Sequence, residues 1–146
     1  MTQTSLTSIP DDQGFLTVTG TTDPAANTEI TLTIGANRRW LVFGFYYRLV
    51  TNANAANRRS HVRITDGTNE IFFFQHDQVQ AASITRDYSW APRGGFVGAI
   101  LQSRTSAHMP VTPMFQGWTI ETITEGIQAT DNYGAGRVVH YEWIEE

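Results

Sequence analysis

The sequence predicts an all-β domain, a two-sheet antiparallel sandwich of jelly-roll type with about eight or nine strands and little or no helix. Three observations carry that prediction. From Phe15 onward the chain is a series of short runs rich in Val, Ile, Thr, Tyr, Phe and Trp, the side chains that suit a pleated, half-buried surface. Gly, Pro, Asn and Asp interrupt these runs at intervals of roughly eight to fifteen residues. No stretch shows helical periodicity with caps, and residues 77–83 offer at most one short turn. A chain of 146 residues fits one domain, which buries about two thirds of its unfolded surface.

The elements follow in order. Residues 1–14 are polar, contain Pro10 and Gly14, and carry only Leu6 and Ile9 as large apolar anchors, so they read as an arm ahead of a sandwich over 15–146. Strands are expected at 15–20, 28–34, 39–50, 58–65, 70–75, 84–90, 97–103, 118–124 and 137–144. In 28–34 the alternation puts Ile30, Leu32 and Ile34 inward and Glu29, Thr31 and Thr33 outward. The strand at 39–50 is apolar on both alternating sides, with Leu41, Phe43, Phe45, Tyr47 and Leu49 on one and Trp40, Val42, Gly44 and Tyr46 on the other. It is therefore expected to be covered twice, either as a central strand covered on both sides or by the core on one side and a second subunit on the other. Residues 51–57, TNANAAN, read as a plain connection between neighbouring strands, and Asp66-Gly67-Thr68-Asn69 as a hairpin turn. Residues 91–95 and 107–116 read as longer connections.

The aromatics Trp40, Trp90, Trp118, Trp143, Phe15, Phe43 and Phe72 are assigned to the core, where each contributes about 2 to 3 kcal/mol when fully buried. Phe72-Phe73-Phe74 cannot all enter one core: if Phe72 and Phe74 point in, Phe73 points out, or the reverse. An exposed phenylalanine beside a two-faced strand marks a subunit contact, so Tyr46, Tyr47, Phe72, Phe73 and Phe74 are the expected interface.

The chain offers little for chemistry. It has no cysteine, hence no disulfide, thiolate metal site or Cys nucleophile, a composition that suits assembly in a reducing cytoplasm. The formal charge is −4 and all ten basic residues are arginine, paired in sequence only at Arg38-Arg39 and Arg58-Arg59, which argues against nucleic acid as a partner. Arginine's planar fork suits permanent ion pairs, and the lack of lysine removes P-loop and Schiff-base readings. The residues after Met1 lack the basic and apolar regions of a secretory signal, and no apolar run approaches the ~20 residues of a membrane span. His61, His76, His108 and His140 form no ligand motif and read as surface or interface histidines. Glu121 and Glu125 share one side of a strand and read as its solvated face rather than a catalytic pair. No enzyme activity, cofactor or metal is expected. A carbohydrate- or receptor-binding module is the alternative class, with Tyr88, Trp90, Asn132 and Tyr133 as its candidate residues.

Three passages, RWLVFGFYYRLVTNANAANRRSHVRITDG from Arg39, QAASITRDYSWAP from Gln80 and GWTIETITEGIQATDNYGAGRVVHYEWIEE from Gly117, together resemble a family of small β-sandwich proteins encoded among the virion genes of tailed bacteriophages. The resemblance covers most of the chain after residue 24 and carries no catalytic residues. It implies a virion component assembled in the host cytoplasm, since members of this group decorate or cement capsids or sit elsewhere in the particle. The expected role is capsid cement or decoration, with the major capsid protein as partner and a homotrimer as the assembly. Residues 1–14 do not match the pattern, and Leu6, Ile9 and Pro10 are the expected capsid-contacting anchors of that arm.

Overall fold

The alternating runs pair into two facing sheets in a computed structural model that describes residues 14–92 and 103–145. Among the described residues there are eleven strands: β1 (Phe15–Gly20), β2 (Thr31–Thr33), β3 (Arg38–Val50), β4 (Arg59–Thr65), β5 (Glu70–Phe74), β6 (Thr85–Ala91), β7 (Arg104–His108), β8 (Thr112–Met114), β9 (Thr119–Glu125), β10 (Asn132–Tyr133) and β11 (Arg137–Ile144). The large sheet runs β1-β11-β3-β6-β7, with β8 and β10 also paired to β3, and the small sheet runs β2-β9-β4-β5. Without β7, β8 and β10 the layers reduce to β1-β11-β3-β6 over β2-β9-β4-β5. Among these eight strands the chain changes sheet at every connection except β4 to β5, which is the winding of a jelly roll.

Several sequence expectations need correction. Strands β8 and β10 are too short to announce themselves by alternation, and β8 lies inside the connection expected over 107–116. The expected strand at 97–103 falls almost wholly outside the described residues. The strand that follows it, β7, pairs with β6 in parallel, the one exception to antiparallel pairing among the described strands. The expected strand at 28–34 narrows to three residues, although Ile30 and Ile34 are buried as the alternation requires. Residues 51–57 do not join neighbours. They cross from β3 in the large sheet to β4 in the small one.

The most instructive departure lies in β3. Against β11, His140 pairs with Val42 and Val139 with Gly44, so Phe43 is an extra, unpaired residue. Such a bulge shifts the side-chain parity by one. Trp40 and Val42 point inward before it, and Phe45, Tyr47 and Leu49 point inward after it. A strand that reads as apolar on two faces therefore feeds one core, and Tyr47, at 4% exposure, is excluded from any interface. Beyond the bulge, the Tyr46 ring lies along the strand over Gly44, so close that a methyl group at that position would meet it at 2.8 Å.

The core combines Phe45, Leu49, Val62, Ile64, Trp90, Met114, Ile120 and Val138 with three tyrosines, Tyr47, Tyr88 and Tyr133. Full burial of Trp90 is worth about 3 kcal/mol. Of the other aromatics assigned to the core, Trp40 is buried, Trp118, Trp143 and Phe43 are half-buried, and Phe15 and Phe72 are exposed. The buried hydroxyls form a chain across the two sheets. Trp90 Nε1 donates to Tyr47 OH at 2.9 Å, Tyr47 OH meets Ser60 Oγ at 2.9 Å, Ser60 Oγ meets Tyr133 OH at 2.6 Å, and Tyr133 OH meets Thr124 Oγ1. Thr124 donates to the Glu29 carboxylate at 3.0 Å. Because each hydroxyl has one proton, that last bond fixes the direction of all the others: Tyr133 donates to Thr124, Ser60 to Tyr133, and Tyr47 to Ser60.

A second polar device anchors the TNANAAN crossing. Arg58 and Asp131 are both fully buried, with two bonds between them at 2.8 and 2.9 Å. The guanidinium also donates to the Asn54 and Ala56 carbonyls and to Asn52 Oδ1, so all five of its N–H groups are used. Burial pushes the Asp131 carboxyl up, but the bonds from Arg58 and from the Asn52 and Gln128 amides outweigh it and hold the group below the usual carboxylate range.

Candidate functional site on the outer face of the large sheet

Alternation along β11 puts Val138, His140 and Glu142 inside and Val139, Tyr141 and Trp143 outside. Register then builds a surface around the outer three. Leu16 of β1 lies opposite Tyr141 and Val18 opposite Val139, at exposures of 63% and 58%. On the other flank Leu41 lies opposite Tyr141, and the bulged Phe43 meets the Tyr141 ring edge-on at 5.2 Å between centroids. The Arg39 guanidinium sits 5.0 Å from the centre of the Trp143 ring, a cation–π contact. Pro113 of β8 continues the patch beyond Leu41. The result is one apolar half-face spanning four strands, edged by arginine.

Past the Phe43 bulge the same face changes character. Tyr46, at 36% exposure, lies opposite Arg137 on β11 and Ser89 on β6. Arg48 makes a bidentate pair with Asp87 at 2.7 and 3.1 Å. The Arg48 hydrogen bond keeps the Asp87 carboxyl below its ordinary range. Arg104 on β7 lies opposite Asp87 across the parallel pair. Together these side chains line an open groove of about 530 Å³.

The expected interface residues are not brought together. Tyr46 is on the outer face of the large sheet and Tyr47 is in the core, whereas Phe72, Phe73 and Phe74 are on β5, an edge strand of the small sheet. Within the triplet the parity argument holds: Phe72 and Phe74 lie opposite the buried Ile64 and Val62, and Phe73 lies opposite Arg63. Phe72 and Phe73 are both exposed there, and Phe73 packs against the His61 ring at 5.3 Å. The arm anchors Leu6, Ile9 and Pro10 lie outside the described residues. The sugar-binding candidates Tyr88, Trp90 and Tyr133 are core residues, which leaves only Asn132 exposed.

Three of the histidines expected at the surface, His61, His76 and His140, are buried, and only His108 is exposed. Desolvation, with the positive Arg86 nearby, lowers His76 to about 4. Glu121 and Glu125 lie on the outer side of β9, as their spacing predicts, and each pairs with an arginine of β4, Arg63 and Arg59. Among the described residues, five of the chain's ten arginines form such intramolecular ion pairs. Among the same residues no group of three or more histidines and carboxylates is placed to hold a metal ion.

The apolar half-face is within reach of sequence reasoning, since Val139-His140-Tyr141-Glu142-Trp143 alternates aromatic and aliphatic groups with polar ones. The usual rule, apolar in and polar out, assigns it backwards, because His140 and Glu142 are the buried members. The chain matches no protein-family model and no curated protein.

Proposed function

We propose that this chain is a structural subunit of a tailed-bacteriophage virion, a capsid cement or decoration protein that binds the head shell. The observation that carries the reading is the apolar half-face of Leu16, Val18, Leu41, Phe43, Val139, Tyr141 and Trp143, which is half-buried to exposed across several strands. Contiguous apolar surface of this kind marks a contact with another protein, and the resemblance of the three sequence passages supplies the setting. In this reading the half-face seats on the major capsid protein and residues 1–14 extend the contact through Leu6, Ile9 and Pro10. Copies meet as a homotrimer through the exposed Phe72 and Phe73 of the β5 edge. The mechanism is mechanical: a subunit that binds only the assembled lattice stabilises it by mass action, and many weak contacts add through multivalency.

The test is decoration of purified expanded capsids, read by cryo-electron microscopy and by sedimentation of bound protein. Wild type is expected to occupy the shell in a regular pattern. Leu16→Asp and Tyr141→Asp, both on the solvent side of the sheet, are expected to lose occupancy while retaining a native circular-dichroism spectrum. Full occupancy by both variants, or no binding by wild type, would overturn the reading.

A further inference from the structure

We infer that the groove beyond the Phe43 bulge is a binding site for an acidic saccharide, of the uronate or sialate class. Its volume of about 530 Å³ lies in the range of small-ligand sites, and its side chains form a donor-rich set. Three arginines, Arg48, Arg104 and Arg137, line it against a single aspartate among the described residues, in a chain whose formal charge is −4. Three arginines against one aspartate leave the groove lining net positive, and a site of one sign attracts ligands of the other.

The roles divide by geometry. Asp87 is held by both nitrogens of the Arg48 fork, so the pair presents a fixed acceptor beside fixed donors, the arrangement that adjacent sugar hydroxyls satisfy. Arg104 and Arg137 have no carboxylate within ion-pair distance among the described residues. Their guanidinium groups are available for the bidentate recognition of a ligand carboxylate. The Tyr46 ring, laid over Gly44 and in part exposed, offers a flat surface for the C–H face of a pyranose, and Ser89 adds a hydroxyl to the floor.

The position of the groove favours a saccharide over an acidic peptide. Its floor is the face of a sheet, where β3 and β6 pair through Tyr46 and Ser89 and β6 and β7 through Ser89 and Ser106. The backbone groups of β3 and β6 there are committed to neighbouring strands, so across the floor no strand can be added as peptide recognition at a sheet edge requires; of the three strands only β7, an outer strand of the described sheet, has a free edge. Side chains alone must recognise the ligand, and a hydroxyl-rich, carboxylate-bearing ring meets Arg, Asp, Ser and Tyr at once. The groove and the apolar half-face use different residues, so saccharide binding and capsid docking can each fail alone.

The experiment is calorimetric titration of the full chain with tetragalacturonate and with sialyllactose, beside lactose as the neutral probe and pentaglutamate as the peptide probe, with amide chemical-shift mapping. At least one acidic saccharide is expected to bind saturably, with shifts centred on Tyr46, Ser89 and Arg104, while lactose binds far more weakly. Arg104→Ala and Arg137→Ala are each expected to weaken binding about tenfold or more, the loss of a charge-assisted hydrogen bond. Both arginines are exposed, so the variants keep the fold, which the same spectra check. The inference is overturned if neither acidic saccharide binds, if pentaglutamate binds as tightly, or if both variants bind like wild type.

Discussion

Replacing Tyr47 by phenylalanine removes one oxygen from the middle of the hydroxyl chain and changes nothing else in shape. That oxygen accepts from Trp90 Nε1 and donates to Ser60 Oγ, both at 2.9 Å. Its loss leaves the indole N–H of a fully buried tryptophan without an acceptor, and a buried donor left unpaired costs about 1 to 3 kcal/mol. Ser60 still donates to Tyr133, so the remainder of the chain survives with weaker mutual polarisation. No cavity larger than a hydroxyl forms, and the expected destabilisation is therefore about 2 to 3 kcal/mol. With a urea slope of about 1 to 3 kcal/mol per molar, the midpoint falls by roughly 1 to 2 M at unchanged slope. Tyr133→Phe strands the Ser60 proton and is expected to cost a similar amount. Because Ser60 lies between the two tyrosines, the double variant should depart from additivity by about 0.5 kcal/mol or more. If either single variant costs less than about 0.5 kcal/mol, or the two add strictly, the one-way chain is not how this core is held.

Removing one member of the Arg58–Asp131 pair, by Arg58→Met or Asp131→Asn, is expected to cost about 3 to 5 kcal/mol in thermal or urea unfolding, and Arg58→Met/Asp131→Asn should cost clearly less than the sum of the two; strict additivity would refute the pairing argument. Gly44→Ala should cost about 1 to 3 kcal/mol in urea unfolding, because its methyl meets the Tyr46 ring at 2.8 Å, and Gly44→Ala/Tyr46→Ala should cost less than Gly44→Ala alone. His76 is lowered from 6.5 to about 4 in the fold, so the unfolded chain binds the proton first as pH falls. Its contribution is complete above pH 6.5 and is lost on descending toward pH 4. At pH 5 the loss relative to pH 8 is about 2 kcal/mol. His76→Gln should flatten the stability profile between pH 6.5 and 5, and an unaltered slope would show that His76 is not the titrating group.

The strand-rich class, the Asp66 hairpin and the solvated face of β9 are legible in the sequence because each rests on local rules: side-chain period, turn chemistry and even spacing. The hairpin shows this directly, with Asp66 Oδ1 accepting from the Thr68 and Asn69 amides and Gly67 at a positive φ of 95°. What is not legible depends on one non-local event. A period of two carried through residues 39–50 assigns Tyr47 and Tyr46 to opposite covered faces, but the extra residue at Phe43 reverses every assignment before it relative to those after it. A bulge is set by the partner strand, and nothing in RWLVFGFYYRLV beyond Gly44 hints at one. The buried histidines and tyrosines escape sequence reasoning for a related reason. Their hydrogen-bond partners, such as Thr105 for His76 and Ser60 for Tyr47, come from other strands, and only those partners make burial tolerable. Of the outer face only the β11 share is within reach of the sequence, because the other members come from β1, β3 and β8, which are far from it along the chain.

Strand β11 lies between β1 and β3, and the bond joining Thr19 to His140 spans 121 residues of chain. The order of synthesis therefore governs when the large sheet can close. The strand that bridges its first and third members is the last of the eleven to leave the ribosome, so closure waits for it. The apolar half-face is composed largely from those same three strands, and it comes into being only with the finished domain. A nascent chain has no such surface to offer. The surface is thereby withheld until β11 has emerged, and a chain truncated before Arg137 lacks Val139, Tyr141 and Trp143 and cannot form it.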